Sequence, residues 1–220
     1  VDLLTGTLPA QVGFRTAGGV DVNTKTGDTL KHNQLSLYGG SYGTFAPSLQ
    51  LGGHKGNFEY FTTLSYNRNH IGIENPTDSF RPVHDLTEQE KAFGYFSWRL
   101  YDTSRVTLLT SASYADFQLP NTPDLDPIYP LAQTRWDDPS VQSRLLDDSQ
   151  TEQNYYAVVS YQRSTERVNF QFSPYFRYGR IDYSPDPGRD LVFQGGAEHE
   201  VNDFTTGGAQ FDLSWDVAPH

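Results

Sequence analysis

The sequence predicts an all-β chain: a transmembrane antiparallel β-barrel, present in part with about eight strands, after a glycine-rich N-terminal stretch. Three observations carry that expectation. Apolar and polar residues alternate with a period of two over most of the chain, which sorts them onto opposite sides of a pleated strand. Several alternating segments run past ten residues, whereas strands of soluble domains run about 5–6 and a tilted membrane strand needs about 9–11. The connections alternate between tight and long, as in a membrane barrel with turns on one rim and loops on the other.

Eight candidate strands follow in order. The first sets Leu35 and Leu37 against Gln34 and Ser36, and the second sets Leu49 and Leu51 against Ser48 and Gln50. In the third, Phe58, Tyr60, Thr62, Leu64 and Tyr66 alternate with Glu59, Thr63, Ser65 and Asn67. The fourth carries Ala92, Gly94, Phe96, Trp98 and Leu100 opposite Lys91, Ser97 and Arg99. The fifth carries Val106, Leu108, Ala112 and Tyr114 opposite Thr107, Ser111 and Ser113. The sixth sets Tyr155, Ala157, Val159 and Tyr161 against Asn154, Ser160 and Gln162. The seventh reads Val168, Phe170, Phe172, Pro174, Phe176 and Tyr178 on one side and Asn169, Gln171, Ser173, Tyr175 and Arg177 on the other. In the last, Ala209, Phe211, Leu213, Trp215 and Val217 oppose Gln210, Asp212, Ser214 and Asp216.

Tight links fall at His54-Lys55-Gly56-Asn57, Asp102-Thr103-Ser104 and Ser164-Thr165-Glu166-Arg167, separated by long polar links at roughly 72–87, 118–151 and 184–200. Gly39-Gly40-Ser41-Tyr42-Gly43 is the short link on the long-loop side. The middle loop, with Pro120, Pro123, Pro127, Pro130 and Pro139, is expected to be extended and in part disordered. Trp98, Tyr101, Trp215, Tyr161 and Phe58 gather near the short-turn ends, and Tyr38, Tyr66, Tyr155 and Tyr178 toward the long-loop ends. Two such bands are expected where amphipathic rings sit at the two membrane interfaces.

Composition narrows the function classes. The 220 residues contain no Cys, which excludes a disulfide scaffold, a Cys-ligated metal and a Cys nucleophile. A net charge of −11 leaves nothing to neutralise a run of phosphates, so no nucleic acid partner is expected. No stretch approaches the ~20 apolar residues of a spanning helix. Mean hydropathy is negative, −0.60, but a barrel exposes apolar residues only at alternate positions and tolerates such an average. The valine start and the absence of Met point to an excerpt or a processed chain.

Gly39-Gly40-Ser41-Tyr42-Gly43 matches the G-x-S-x-G serine-hydrolase elbow, but that chemistry needs a strand-to-helix turn. Alternating residues flank it on both sides, so a hairpin turn is expected, and no catalytic residue is assigned. Glu198-His199-Glu200, Asp124-Leu125-Asp126, Asp137-Asp138 and Asp147-Asp148 lack the spacing of a zinc helix or EF-hand and read as a solvated face, so no metal or cofactor is assigned. In the long loops, Arg81, His84, Tyr129, Arg135 and Trp136 are weak candidates for ligand contact, since guanidinium groups suit an anionic chelate and rings suit stacking.

Ahead of the first strand lies Leu8-Pro9-Ala10-Gln11-Val12-Gly13-Phe14-Arg15-Thr16-Ala17-Gly18-Gly19-Val20-Asp21-Val22-Asn23-Thr24-Lys25-Thr26-Gly27. This resembles the end of the plug domain of TonB-dependent outer-membrane receptors, in which a glycine after an apolar residue leads through a Gly-Gly pair into an apolar strand ending in Thr-Lys. Gly13, Gly18, Gly19, Val20, Val22, Thr24 and Lys25 fit that pattern. Thr24-Lys25 comes one residue early, and Asp21 and Asn23 interrupt the apolar strand. Glycine at these positions also suits a loop backbone that lies close against another element.

The resemblance implies residues 1–30 as the end of a plug and 31–220 as the N-terminal part of a barrel of roughly 22 strands. It further implies a Gram-negative outer-membrane receptor for energy-coupled uptake of a scarce solute, by default a ferric siderophore, with cobalamin, carbohydrate or peptide as open alternatives. Its partners would be outer-membrane lipid and a TonB-type energy-coupling protein, reached through plug segments upstream. Two rival readings stand beside it. A self-contained eight-stranded barrel, acting as adhesin or structural protein, requires the strand of Trp215 to pair with that of Leu35. A soluble β-sandwich binding carbohydrate requires the aromatic rows to pack inward against a second sheet.

Overall fold

The computed structural model describes residues 2–4, 19–21, 23–30, 32–71, 77, 83–129 and 141–217. Near the N-terminus, β1 (Asp2–Leu4) pairs antiparallel with β2 (Gly19–Asp21). All other described strands belong to one antiparallel sheet of eight: β3 (Gln34–Gly39), β4 (Phe45–Lys55), β5 (Phe58–Asn69), β6 (Thr87–Tyr101), β7 (Ser104–Gln118), β8 (Ser149–Ser164), β9 (Val168–Ser184) and β10 (Glu200–Trp215). Each strand neighbours the next in sequence, a plain meander. The sheet is open: β3 and β10 are its two edges and do not pair with each other. The Leu35-to-Trp215 closure required of a self-contained barrel is therefore not found. Among the described residues no helix is long and apolar enough to cross a membrane, which leaves crossing by strands untouched.

All eight expected strands are present, and their register decides what the alternation means. Leu35 stands opposite Leu49, Leu49 opposite Leu64 and Leu64 opposite Ala92, which continues through Ala112 to Tyr155 and Tyr178. Nearer the short turns, Phe58, Trp98, Val106, Tyr161, Phe172 and Phe211 form a second such row. Residues directly opposite in an antiparallel pair point to the same face, so the eight apolar rows merge into one surface. The other face carries Gln50, Thr63, Ser111, Ser160, Ser173 and Gln210 in the same manner, with Phe61, Phe93 and Tyr95 among them. Its polar groups bond to one another: the Ser160 and Ser173 hydroxyls lie 2.8 Å apart, and Gln162 Nε2 donates to Gln171 Oε1 at 2.8 Å.

Exposure runs opposite to that of a water-soluble sheet. Leu35, Leu64, Trp98, Phe211 and Trp215 are exposed on the apolar face, Trp215 by 63%. The buried residues in the bodies of the strands, Phe61, Ser97, Ala115 and Ser173, lie on the polar face. No second sheet covers the apolar rows among the described residues. A contiguous apolar surface of this extent marks a partner or lipid contact.

The tight links fall where expected. Gly56 takes φ 59° in the β4–β5 turn, a value glycine adopts without a Cβ penalty. A bulge between Arg99 and Tyr101 shifts the register so that Tyr101 stands opposite Ser104, and Tyr101 is exposed. One aromatic assignment needs correction. Tyr38 sits at the expected end of its strand but pairs with Ala46, on the face of Ser36 rather than that of Leu37, because its position has the polar parity.

Residues 25–33 lie over the polar face beside the β4–β5 turn. Lys25 Nζ donates to Gln50 Oε1 at 3.0 Å, the Asp28 amide donates to Glu59 Oε1 at 3.1 Å, and the Gly52 amide donates to Asn33 Oδ1 at 3.0 Å. Asp28 Oδ1 also meets His54 Nδ1 at 2.8 Å. Gly27 is buried against backbone: a Cβ there would stand 2.3 Å from the Gly53 oxygen and 2.6 Å from the Tyr60 oxygen. Neither oxygen can yield without breaking the ladder, so Gly27→Ala is expected to weaken this docking by about 1–3 kcal/mol. In detergent-folded protein, trypsin should then cut after Lys25 severalfold faster. An unchanged rate would mean that the segment is not held at Gly27.

Candidate functional site

The long-loop rim is the one place where sequence-distant polar side chains converge out of solvent. Three connections meet there: 70–86, 119–148 and 185–199. The Leu119 amide donates to the Asp148 carbonyl at 2.9 Å, and the Tyr129 amide to the Val192 carbonyl at 2.9 Å. His84 Nδ1 bonds the Leu146 carbonyl, and the Leu86 amide donates to Gln118 Oε1 at 3.2 Å. Leu146, Val192 and Phe193 form a small apolar core under these contacts, with Val141 packed on it.

Two features depart from the sequence reading. The described parts of the middle loop are not merely extended: they hold a 3₁₀ turn at Ser143–Leu145, buried Ser143 and Leu146, and an Asn121 side chain that donates to the Ser143 and Leu146 carbonyls. The last long loop contains a helix, α1 (Pro187–Phe193). Asp186 caps it by accepting from the Arg189 amide, Pro187 opens its first turn, and Gly195 follows with φ 81°. Those capping residues are readable in the sequence and were the missed signal.

The acidic pairs also divide differently. Asp147, Asp124, Asp126, Glu198, His199 and Glu200 are exposed, as a solvated face requires. Asp148 is not: it is 5% exposed and accepts from the Asp186 amide at 2.9 Å. It faces Asp190 of α1, which is 1% exposed and accepts from Gln194 Nε2 at 2.7 Å. Burial, then the Asp148 charge and a hydrogen bond shared with Asp148, push the Asp190 carboxyl up to about 6. Asp186 behaves oppositely. Burial pushes its carboxyl up, but the Arg189 side chain at 2.6 Å and the Arg189 amide outweigh this and hold it below the usual range.

Of the candidate ligand-contact residues, the rim brings two together. His84 is half-buried and engaged with Leu146. Tyr129 is 50% exposed, with its ring against Gly195 and its amide on Val192. Arg81, Arg135 and Trp136 lie outside the described residues. Of the plug-like positions, Gly19 and Val20 lie in β2, opposite Leu4 and Leu3. Thr24 is exposed, as is Lys25 where it reaches Gln50. Gly13, Gly18 and Val22 lie outside the described residues. Gly39–Gly43 forms a strand–turn–strand, with Thr44 N donating to the Ser41 carbonyl at 3.2 Å and β4 following, so the strand-to-helix elbow of a hydrolase is not formed there. No family model matches the chain, and no curated protein matches it either.

The Asp190 shift has a definite sign. A carboxyl whose folded pKa exceeds its unfolded value of 3.8 contributes stability that is present below 3.8 and lost as pH rises through about 6. Asp186, shifted the other way, acts only below that window. Raising pH from 4 to 7 is therefore expected to loosen α1 from the middle loop. Amide exchange at Gln194, corrected for intrinsic rates, reports this, and Asp190→Asn should abolish the pH dependence. Persistence of the dependence in Asp190→Asn would refute the assignment.

Proposed function

We propose that this chain is part of an outer-membrane receptor of the TonB-dependent type, which captures a scarce solute outside and admits it by energy coupling, with a ferric siderophore as the default cargo. The observation that carries the membrane reading is the inverted sheet: continuous apolar rows exposed on one face and bonded polar residues on the other. Water exposure of Leu35, Trp98, Phe211 and Trp215 is unfavourable, whereas hydrocarbon accepts those rows. Strands β4 to β10 span 11 to 17 residues, long enough to cross. Tight turns at one rim and packed long loops at the other supply a sided molecule.

The receptor reading adds the N-terminal segment. Residues 25–33 lie on the polar face, which would be the lumen, where the end of a plug belongs. Transport then rests on differential affinity between closed and open plug states, with outer-membrane lipid and a TonB-type protein as partners and no covalent chemistry asked of these residues. The open edges β3 and β10 favour this over a self-contained eight-stranded barrel, since further strands would pair there.

Two measurements test the membrane step. Without detergent the chain should aggregate, and recovery as a stable monodisperse monomer would contradict the proposal. Phe172 and its neighbour Gln171 test the faces: Phe172→Arg should cost about 2–4 kcal/mol of bilayer-folded stability if it sits mid-bilayer. Gln171→Arg should cost only about 1 kcal/mol, for its bonds to Gln162 and Ser173. Equal tolerance would reverse the faces. Uptake by the intact receptor, lost when residues 25–33 are replaced by a Gly-Ser linker, tests the transport step separately.

A further inference from the structure

At the short-turn rim the polar face carries an unusual pairing. Arg99 of β6 and Arg105 of β7 stand directly opposite each other, in the register of Ser97 with Thr107. Like charges in that position repel. Neither arginine forms an ion pair among the described residues, although the chain has 27 acidic residues against 16 basic ones. Both line a cleft of about 190 Å³ with Tyr101, Thr103, Ser104 and Gln162. Asp102 borders it as well, outside ion-pair distance of either guanidinium. Ser104 is 6% exposed, and its buried hydroxyl has no hydrogen-bond partner. An unpartnered buried hydroxyl is costly, as is an opposed cation pair, and one ligand relieves both.

We infer that this cleft is a binding site for a phosphoryl-type oxyanion, held by the Arg99 and Arg105 guanidinium groups and the Ser104 hydroxyl. A tetrahedral oxyanion offers acceptors to two planar forks and an O–H donor at once, the geometry in which arginine exceeds lysine. Neighbouring polar groups are already committed: Gln162 Nε2 donates to Gln171, and Ser164 donates to Asn169. The site follows from register and cleft alone and does not rest on the receptor reading. Its ligand is either a water-borne phosphate or the headgroup of a phospholipid.

The test uses the whole chain folded in neutral-detergent micelles, titrated with inorganic phosphate and followed by the arginine Nε–Hε NMR signals and by melting temperature. Saturable binding is expected, with a rise in melting temperature that tracks it. Arg99→Gln/Arg105→Gln should weaken affinity by about tenfold or more. Arg163→Gln, on the same rim but in register with Ser104 and Phe170 on the apolar side, should leave it unchanged. In phosphate-free buffer Arg99→Gln alone should melt no lower than the parent, because it relieves repulsion. Competition by phosphatidylglycerol in the micelles would identify the headgroup as the source, and its absence the water-borne ion. No saturable binding, equal weakening by Arg163→Gln, or a markedly lower melting point for Arg99→Gln would overturn the site.

Discussion

Unbroken antiparallel register is the constraint on which the molecule depends. Side chains alternate across a strand, so a one-residue slip anywhere would move a whole strand's apolar set to the wrong side. Between β3 and β10 the pairing holds through seven interfaces, with its one marked shift at Arg99/Tyr101, near the end of a strand. Polar bonds at Ser160–Ser173 and Gln162–Gln171, and ring contacts such as Phe170 with Phe211 at 5.3 Å, fix the same register from both faces. The sheet thereby presents two chemically distinct surfaces without a conventional core.

The small core that exists is displaced to the rim. Leu146, Val192 and Phe193 are buried by loops rather than by strands. This gives three hairpin connections a shared anchor while leaving the sheet faces for other contacts. The buried Asp148–Asp190 pair belongs to the same anchor. Charges are kept out of water there only because one proton is shared and the remaining acceptors meet the Asp186 amide and the Gln194 amide group.

The strands were legible in the sequence because period two is a local signal, repeated over segments long enough to exclude coincidence. The face of Tyr38 was not, because parity and strand end are separate questions and only the first fixes direction. Loop packing was hidden for a different reason: it depends on contacts between residues as distant as His84 and Leu146. Proline content suggested extension, yet Pro187 serves instead to start a helix behind its Asp186 cap. Asp148 looked like any loop carboxylate, since nothing local announces that α1 will cover it. The convergence of Arg99 with Arg105 emerges only once the β6–β7 register is known.

The bonds made by residues 25–33 are strung along the chain rather than side by side. Lys25 holds Gln50, Gly27 wedges beneath the Gly53 and Tyr60 carbonyls, and Asn33 reaches Gly52. Tension applied upstream would load Lys25 first and reach Asn33 last, so the attachment peels like a zip instead of resisting in shear. Such an arrangement releases at modest force, and it can close again from the tethered end once the load is gone.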